Sequence, residues 1–596
     1  MDKIKISVLA ALVALAFIAC TDNDTKFDPD ISWPDVLYAA EGWTLEEVAV
    51  TGISDAAGTF AWAEPSLSAG ESGTRIFTAV FTPLNTRLFN TMNKNIPVTV
   101  ISSVSIEGDW PDSLADSFDT TIGTQDIIII TGIQAEVTDT LSLDIPMEKT
   151  VVWAASVSAD NADPLIALTG EGTLVIQSGR LYAATGTTIR NNAAALIVPG
   201  GIIESASGYA VNNTGSGKVS VAGGIVSSPT GRAINNAAAG SIHISGGTIK
   251  GGEITNSDTV HNAGTGTVEI NGGKVSSIGG RAIHNSAGGT INVSGGTVGA
   301  GGSGSTGIRN NAGGIVNISG GTISTMTGWT MSNGSSGSIN ITGGVIRSSD
   351  RALHNSAGGT IHISGGTIRG GEITNADAVQ NAGGGLIEIS GGRVIATVGR
   401  AINNNSGGTV NVAGGIVSAG GSGSTAIRNS GSGTLNISGG TTSTTEGWTV
   451  SNAGEGTINI SGGTIRTENN RSLTNASTGL INISQADTEV PTFITSANTL
   501  PGGTIVINDT HSSPSPRLII SGGTIQNTAA NANAIAILSS SAGSIHISGA
   551  DTRIIATQHP GARAISRSKA NIGQVYIGEE VPWANIATRG SEDWTQ

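Results

Sequence analysis

The sequence is poor in cysteine, proline, aromatic residues and charge. Its 596 residues include 1 Cys, 16 Pro, 4% aromatic residues and 12% charged residues, whereas soluble domains average about 25% charged residues. A single cysteine excludes a disulfide framework within the chain, because each disulfide needs two thiols. The few prolines and the lack of a three-residue glycine period exclude collagen. With 38% hydrophobic residues, the chain has enough apolar side chains to bury a core.

Glycine is abundant, and both glycine and charge are unevenly distributed. Only 8 of the 88 glycines lie before residue 151. Residues 21–150 contain 21 acidic and 5 basic residues, whereas residues 151–596 contain 22 of each. Interior glycine destabilises helices by about 1 kcal/mol per residue, so the composition predicts β-structure rich in turns. A long neutral body argues against a nucleic-acid partner, which would need clustered basic charge.

The first 20 residues have the pattern of a signal peptide. Basic residues near the start are followed by an apolar run from Val8 to Ala19, which is too short for a comfortable membrane span. Phe17-Ile18-Ala19-Cys20 resembles a bacterial lipobox, which implies that Cys20 carries the lipid and is the chain's only membrane attachment. The acidic tether, residues 21–28, is similar to export tags of surface lipoproteins in Gram-negative bacteria. We therefore expect an outer-membrane or cell-surface location; the alternative is an ordinary signal peptide with an incidental cysteine.

Residues 29–105 form the predicted front module. Polar and apolar residues alternate in Ile76–Pro83 and in Pro97–Val100, which predicts the short strands of a small β-sandwich. The segments Gly58–Trp62 and Phe81–Pro83 resemble parts of Ig-like domains in bacterial surface proteins. That resemblance implies a spacer or stalk.

Two short phrases repeat through the remaining chain. From about residue 174, Ile-x-Ile-Ser-Gly-Gly-Thr-Ile recurs with a mean step of 23.7 residues and alternates with Ala-Ile-x-Asn. Five units are duplicated as a block of 119 residues within about 247–485. Repeats of this length with short strands and no helical period predict an all-β fold, a parallel β-helix solenoid over residues 106–585 with three faces per turn. Residues 586–596 are left as a C-terminal tail.

The Asn of Ala-Ile-x-Asn lies on the same strand face as the Ile, so it is predicted to point inward. A buried amide must be hydrogen-bonded, and the same residue one turn away offers a partner. We therefore predict a structural ladder formed by Asn213, Asn236, Asn262, Asn285, Asn310, Asn333, Asn355, Asn381, Asn404, Asn429, Asn452 and Asn475.

The repeated phrases resemble right-handed parallel β-helix proteins of the pectate-lyase-like type, especially adhesin-like repeat proteins of bacterial surfaces. The resemblance covers about three-quarters of the chain and implies the fold. It implies no single activity, because this fold supports enzymes and non-enzymes alike.

The residue immediately before Ala-Ile-x-Asn follows a five-turn pattern of Thr, aromatic, Arg, Asp, Arg. It follows a turn of variable length, so we expect it on an exposed corner, although strict strand parity points it inward. One interpretation is charge-paired stacking that fixes the register of successive turns. The other is a ligand-binding strip in which aromatic rings stack on sugars, charged groups bind hydroxyls, and two long turns form the walls. The predicted binding residues are Tyr209, Trp329, Trp448, Arg232, Asp258, Arg281, Arg351, Asp377 and Arg400, with Glu253 and Glu372 on the turns.

The sequence leaves three functions open. We favour a non-catalytic, surface-anchored, adhesin-like protein that binds glycans or another extracellular ligand. The alternatives are a polysaccharide lyase or glycoside hydrolase of the β-helix type, and a purely structural rod. No cofactor is predicted. No metal is predicted either, because the neighbouring His261 and His284 are replaced in the duplicated block by Gln380 and Asn403.

Overall fold

The computed structural model describes residues 26–50, 52–54, 56, 58–106, 121–160, 162–255, 257–499, 502–509, 511–530, 532–537, 542–556, 562–567 and 574–587. The predicted signal peptide with Cys20, the first part of the tether and most of the C-terminal tail lie outside these residues. The chain divides after Ser102 into two units. The described residues contain no helix with the length and hydrophobicity needed to cross a membrane.

The first unit is a small β-structure around one apolar core. Trp62 is buried in that core, and its indole nitrogen donates to the carbonyl oxygen of Val48 at 2.7 Å. A short antiparallel pair and a 3-10 helix accompany the main sheet; they are Ile31–Ser32 with Ile53–Ser54, and Leu45–Glu47. The main sheet has four strands, in spatial order Leu37–Ala40, Met92–Ile101, Gly73–Pro83 and Gly58–Trp62.

The second unit is a parallel β-solenoid of about 18 turns, with ~23 residues per turn. The predicted all-β solenoid is confirmed. Each regular turn adds one strand to each of three parallel sheets, called sheets A, B and C here. Its first strand, Ser103–Ser105, pairs with the strand Ile127–Thr131 of the next turn.

Sheet A contains the Ile-x-Ile part of the repeat. Its strands are Ser103–Ser105, Ile127–Thr131, Thr150–Trp153, Thr173–Ile176, Ala195–Val198, Lys218–Val221, Ser241–Ile244, Thr267–Ile270, Thr290–Val293, Ile315–Ile318, Ser338–Ile341, Thr360–Ile363, Leu386–Ile389, Thr409–Val412, Thr434–Ile437, Thr457–Ile460, Leu480–Ile483, Pro516–Ile520, Ser544–Ile547 and Val575–Ile577.

The strands of sheet B come after the Gly-Gly corner of each repeat. Its strands are Ile133–Val137, Ser156–Ala159, Arg180–Ala183, Ile202–Ser205, Ile225–Ser228, Thr248–Gly251, Lys274–Ser277, Thr297–Ala300, Thr322–Thr325, Val345–Ser348, Thr367–Gly370, Arg393–Ala396, Ile416–Ala419, Thr441–Thr444, Gly463–Thr467, Thr492–Ser496, Thr524–Asn527, Arg553–Ile555 and Ile586–Ala587, the last preceded by a 3-10 turn at Trp583–Asn585.

Sheet C contains the Ala-Ile-x-Asn phrase. Its strands are Leu141–Asp144, Ile166–Thr169, Thr187–Asn191, Tyr209–Asn213, Arg232–Asn236, Asp258–Asn262, Arg281–Asn285, Thr306–Asn310, Trp329–Asn333, Arg351–Asn355, Asp377–Asn381, Arg400–Asn404, Thr425–Asn429, Trp448–Asn452, Leu473–Asn475, Ile505–Ile507, Ile535–Ile537 and Ile565–Arg567.

The core is a continuous stack of aliphatic side chains inside the three sheets. Successive turns pair in register, so Ile242, Val268 and Ile291 occupy one column and are fully buried. Polar residues alternate with them and face outward, as the period of two predicts. Because each turn contacts only its neighbours, stability is built up from repeated interfaces between turns.

Two different needs explain the repeated glycines. The second glycine of the Gly-Gly corner has a positive φ, 68° at Gly296, which L side chains rarely adopt. Gly289 has no such φ, but a Cβ there would lie 2.3 Å from the side-chain nitrogen of Asn262. One column of glycines therefore makes the corner, and the other leaves room for the asparagine of the preceding turn.

The inward asparagines are joined by direct hydrogen bonds from turn to turn. From Asn191 to Asn429, each Nδ2 donates to the Oδ1 of the next asparagine at 2.9–3.2 Å, and Asn452 is the last acceptor. Asn475, the last residue of the predicted series, instead donates to the carbonyls of Gly479 and Arg517. The ladder thus ends where the irregular turns begin.

A buried ion pair lies just beyond the end of the ladder. Asp509 and Arg517 are both fully buried, and the Arg517 Nε donates to the Asp509 carboxylate. Arg517 also donates to the carbonyl oxygens of Ser515 and Ser513. These hydrogen bonds compensate for the loss of hydration that burial imposes on the guanidinium.

Candidate functional site

The candidate site is the outer face of sheet C. Each five-residue strand of this sheet buries its second, third and fifth residues, as in Arg281–Asn285, whereas its first and fourth residues face outward. The second and third residues are both buried, so burial does not alternate strictly along these strands. The first residues therefore point neither into the core nor onto a fully exposed corner, because neighbouring turns partly cover them.

Asp258 corrects the prediction of an exposed corner. Its side chain is 1% exposed and accepts from Arg281 Nε at 2.5 Å, with Arg232 Nε at 3.5 Å and His284 Nδ1 at 3.2 Å. The long side chains of the adjoining turns reach over the short carboxylate and bury it. Burial alone raises the pKa of Asp258, but the hydrogen bonds and charges of His284 and Arg281 outweigh it and lower the pKa to about 2.

Asp377, the corresponding residue of the duplicated block, has fewer charged partners. It is also buried, and it accepts from Arg400 Nε and, at 3.2 Å, from Asn403 Nδ2. Arg351 was predicted to flank it, but its Nε lies 3.5 Å from the carboxylate of Asp350. The predicted Arg-Asp-Arg stack thus forms around Asp258, whereas at Asp377 the ion pair is with Arg400.

His261 and His284 form a stacked pair, with ring centroids 5.1 Å apart. His261 Nδ1 lies 3.1 Å from Asn235 Oδ1, and its Nε2 lies 2.8 Å from the Ser286 hydroxyl. These partners assign the Nδ1–H tautomer, in which Nε2 accepts from the hydroxyl. Burial and then the charge of Arg232 lower the pKa of His261 to about 4, so it is neutral at pH 7.

Within the described residues, Asp258, His261 and His284 bring three potential metal-ligand atoms within 4.8 Å of one another. The surroundings do not suit a cation. Arg232 and Arg281 hold the carboxylate, and their positive charges would repel a metal ion. Ser286 already binds the Nε2 of His261. We therefore interpret this cluster as an ion-paired hydrogen-bond network.

Trp329 is the centre of the aromatic part of the face. The His354 ring stacks on it with centroids 3.9 Å apart, and the Arg351 guanidinium lies 5.0 Å from its ring centroid. Burial and then the charge of Arg351 lower the pKa of His354 to about 4. Trp329, His354, Arg281, Thr306 and Arg309 share in lining a cavity of about 290 Å³. This volume is near the lower end of the roughly 300–1,000 Å³ typical of small-molecule sites.

The other two aromatic residues of the pattern lie in different surroundings. The Tyr209 hydroxyl accepts from Arg232 at 3.3 Å, and both residues line a second cavity of about 320 Å³. Trp448 is 41% exposed. Its register partner on the preceding turn is Thr425, as Thr306 is for Trp329.

The two glutamates on the long turns are exposed. Glu372 accepts from Arg369 at 3.3 Å, and both residues border a groove over sheet B together with Arg347. On the equivalent long turn, Thr255 lines the sheet C cavity rather than the neighbouring Glu253. The long turn thus contributes to the wall through its threonine.

Sequence reasoning missed the arginines at the fourth position of the sheet C strands. Arg309 and Arg428 lie 119 residues apart, a spacing that the duplicated block contains. Their Nε atoms are buried and have no hydrogen-bond partner among the described residues. Burial and the charge of Arg400 lower the pKa of Arg428. The spacing was readable from the sequence, but the missing partners were not.

No protein-family model matches this chain, and neither a curated protein nor a solved structure matches it.

Proposed function

We propose that this chain is a non-catalytic, adhesin-like protein that binds glycans along the outer face of sheet C. The single observation that carries the proposal is Trp329, whose partly exposed ring borders a cavity that Arg281 and Arg309 also line. Sugars bind where an apolar ring face meets fixed hydrogen-bond donors, because their carbon faces and their hydroxyls are satisfied together. Recurrence of the aromatic residue at Trp448 supports binding along an extended face.

The proposal includes attachment to a bacterial outer membrane or cell surface. The lipobox-like segment ending at Cys20 supports a lipid anchor, and the following acidic residues support export to the surface. The first structural unit then serves as an Ig-like spacer between the anchor and the solenoid. A protein placed in this way would meet polysaccharides of its own envelope or glycans of neighbouring cells.

The enzyme alternative receives less support from the geometry. Glu253 and Asp258 are the nearest acidic pair in the chain order of the regular turns, but Asp258 has a pKa of about 2. A general acid works best with a pKa near the operating pH, and both oxygens of this carboxylate are already held by cations or a histidine. The structural-rod alternative has a specific observation in its favour, the continuous asparagine ladder.

A glycan array probed with the full chain tests the proposal. We expect discrete positive glycans whose binding falls at least tenfold in the double variant Trp329→Ala plus Trp448→Ala. The control is Tyr576→Ala, which removes an exposed aromatic ring on sheet A. Undiminished binding by the double variant would remove sheet C as the site, and an empty array would favour the structural rod.

The same glycans are incubated with the protein and assayed for reducing ends and for unsaturated products. We expect no release above that of a heat-denatured control. Turnover that is lost in the double variant Glu253→Gln plus Glu372→Gln would replace the proposal with the enzyme alternative.

A further inference from the structure

The outer face of sheet C contains a repeated notch, defined here by three residues. A threonine and an arginine come from the first and fourth positions of one strand, and an aromatic residue comes from the first position of the next. Register pairing places the threonine directly beside the aromatic residue, one turn before it. The three copies are Thr187/Arg190/Tyr209, Thr306/Arg309/Trp329 and Thr425/Arg428/Trp448.

The central copy shows why a notch forms. Thr306 is short, whereas its register partners on either side, Arg281 and Trp329, are long. The space above Thr306 belongs to the cavity of about 290 Å³, and Arg309 lines it from the same strand. A ligand there would meet the Trp329 ring on one side and guanidinium groups on the other.

The notches lie in a strip of positive charge. The first and fourth positions of the sheet C strands from Thr187–Asn191 to Trp448–Asn452, together with the equivalent Arg471 and Thr474, hold eight arginines and two aspartates. The solenoid as a whole carries no such excess, since residues 151–596 have equal numbers of acidic and basic residues. These positions of sheet C therefore carry a net excess of positive charge, which attracts anions.

The arginines of the central and last notches have unused donor capacity. The Nε atoms of Arg309 and Arg428 are buried without a hydrogen-bond partner among the described residues. In the first notch, Arg190 Nη2 lies 3.8 Å from the carboxylate of Asp163. Buried donors in folded proteins are nearly always satisfied, so two unpaired Nε donors in equivalent positions point to an anionic ligand.

We propose that the notches at Arg309 and Arg428 each bind one anionic sugar unit of the same linear glycan chain. This inference rests on the proposed glycan binding and adds the ligand's charge and its polymeric nature. The anionic group, a carboxylate or a sulfate, pairs with the planar guanidinium, while the sugar ring packs on Trp329 or Trp448. Ion pairing fixes the orientation of the sugar, and the aromatic ring supplies apolar contact.

The spacing of the notches requires an extended ligand. The two arginines are 119 residues apart, which is five turns of the solenoid, or ~24 Å at the strand spacing of a β-sheet. They share one sheet face and one register column, so a chain lying parallel to the solenoid axis meets both. The second contact is then intramolecular, and linked contacts of this kind can raise affinity by about 10²–10⁴-fold.

Binding measurements on the full chain test the charge and the bivalency. The probes are uronate polymers, each with its carboxyl-reduced form, and dextran sulfate with uncharged dextran. The variants are Arg309→Gln, Arg428→Gln and the double variant. The matched control is Arg347→Gln plus Arg466→Gln, an exposed pair with the same 119-residue spacing on sheet B.

We expect at least one anionic polymer to bind tenfold or more tightly than its neutral form. Each single variant should weaken polymer binding at least tenfold, to the affinity of a short oligosaccharide, and the double variant should abolish the preference for charge. The sheet B control should bind like the unchanged chain. The uronate and sulfate arms identify which anionic group is recognised.

Several outcomes would overturn the inference. Equal binding of neutral and anionic forms would remove the charge requirement and leave the proposed glycan binding intact. Loss of affinity in the sheet B control equal to that in the notch variants would show attraction by overall charge alone. Single-stranded DNA that binds as tightly as the best glycan, with the same variant effects, would replace the sugar with a phosphate ligand. If no glycan binds at all, the proposed function fails with it.

Discussion

Asn285 Nδ2 donates to the Oδ1 of Asn310 on the next turn at 2.9 Å and to the carbonyl of Gly289 at 2.8 Å. Both hydrogens of this buried amide are therefore used. Its Oδ1 accepts from Asn262 at 3.0 Å, so the same side chain also links the preceding turn. Each ladder asparagine thus joins three turns, and chains of such hydrogen bonds polarise one another.

Replacing Asn285 with alanine should destabilise the solenoid by about 1–3 kcal/mol, because the Asn262 donor and the Asn310 acceptor lose their shared partner in the core. The measurement is the free energy of unfolding in denaturant, together with the melting temperature. A matched control is Asn317→Ala, in a part-buried asparagine row on the outer face of sheet A, where Asn317 donates to Asn292 at 2.9 Å. The outer change should have a clearly smaller effect, because water can replace the lost bond. Equal losses of unfolding free energy in the two variants would show that burial does not increase the contribution of the inner ladder.

The glycine that follows each ladder asparagine should be as sensitive as the asparagine itself. In Gly289→Ala, the new methyl group would lie 2.3 Å from Asn262 Nδ2 and 2.6 Å from the backbone oxygen of Gly266. Relief requires a backbone shift, so we expect a loss of about 1–3 kcal/mol. Amide hydrogen exchange should accelerate in the turns that contain Asn262 and Asn285.

Its immediate neighbour provides the control for that prediction. A Cβ at Gly288 would have its nearest neighbour at 4.0 Å, so Gly288→Ala should be tolerated. Stability that falls equally in both variants would point to backbone entropy or turn geometry, and the steric explanation of the glycine column would be wrong.

The repeated core could be predicted from the sequence because a repeat places the same residue types in the same surroundings. When turns stack in register, the position of each repeated feature in the fold is fixed. These features are the alternating Ile residues, the Gly-Gly corner and the Ala-Ile-x-Asn phrase. The outer face of sheet C was less readable. The second and third residues of each strand are both buried, which strict parity does not predict. The burial of Asp258 depends on how far Arg232 and Arg281 reach across the turns.

Contacts outside the repeated phrases had no such signal. The Asp509–Arg517 pair lies in irregular turns, so no periodic comparison identifies either residue as buried. The fourth-position arginines follow the 119-residue repeat, yet their spacing says nothing about missing hydrogen-bond partners. Partner satisfaction depends on side-chain geometry in three successive turns, which a single sequence does not encode in any local pattern.

Neutralising Asp258 should be more damaging than neutralising Asp377. Asp258→Asn leaves Arg232, Arg281 and His284 without their shared carboxylate, whereas Asp377→Asn affects chiefly Arg400. Removing one partner of a buried ion pair typically destabilises by about 3–5 kcal/mol, and we expect Asp258→Asn to approach that range. Unfolding free energies of the two variants at pH 7 provide the measurement.

An exposed ion pair calibrates that comparison. Glu372→Gln removes the partner of Arg369 on the surface, where such pairs contribute about 0–1 kcal/mol. A loss in Asp258→Asn no larger than the loss in Glu372→Gln would contradict a stabilising role for the buried network.

Stability should fall as the pH is lowered from about 6.5 to 4, with His261 and His354 as the cause. Burial lowers the pKa of each to about 4 in the folded chain, whereas an unfolded histidine titrates near 6.5. Between these two pKa values the unfolded chain binds protons at the two histidines that the folded chain does not bind, so protonation favours unfolding. The melting temperature should therefore fall through this range for the unchanged chain. The double variant His261→Gln plus His354→Gln should flatten the curve there.

Asp258 does not produce the same effect, because its pKa of about 2 lies below the ordinary carboxyl value and its contribution is lost only at more acid pH. A variant curve that keeps the full slope between pH 6.5 and 4 would show that other groups carry the titration.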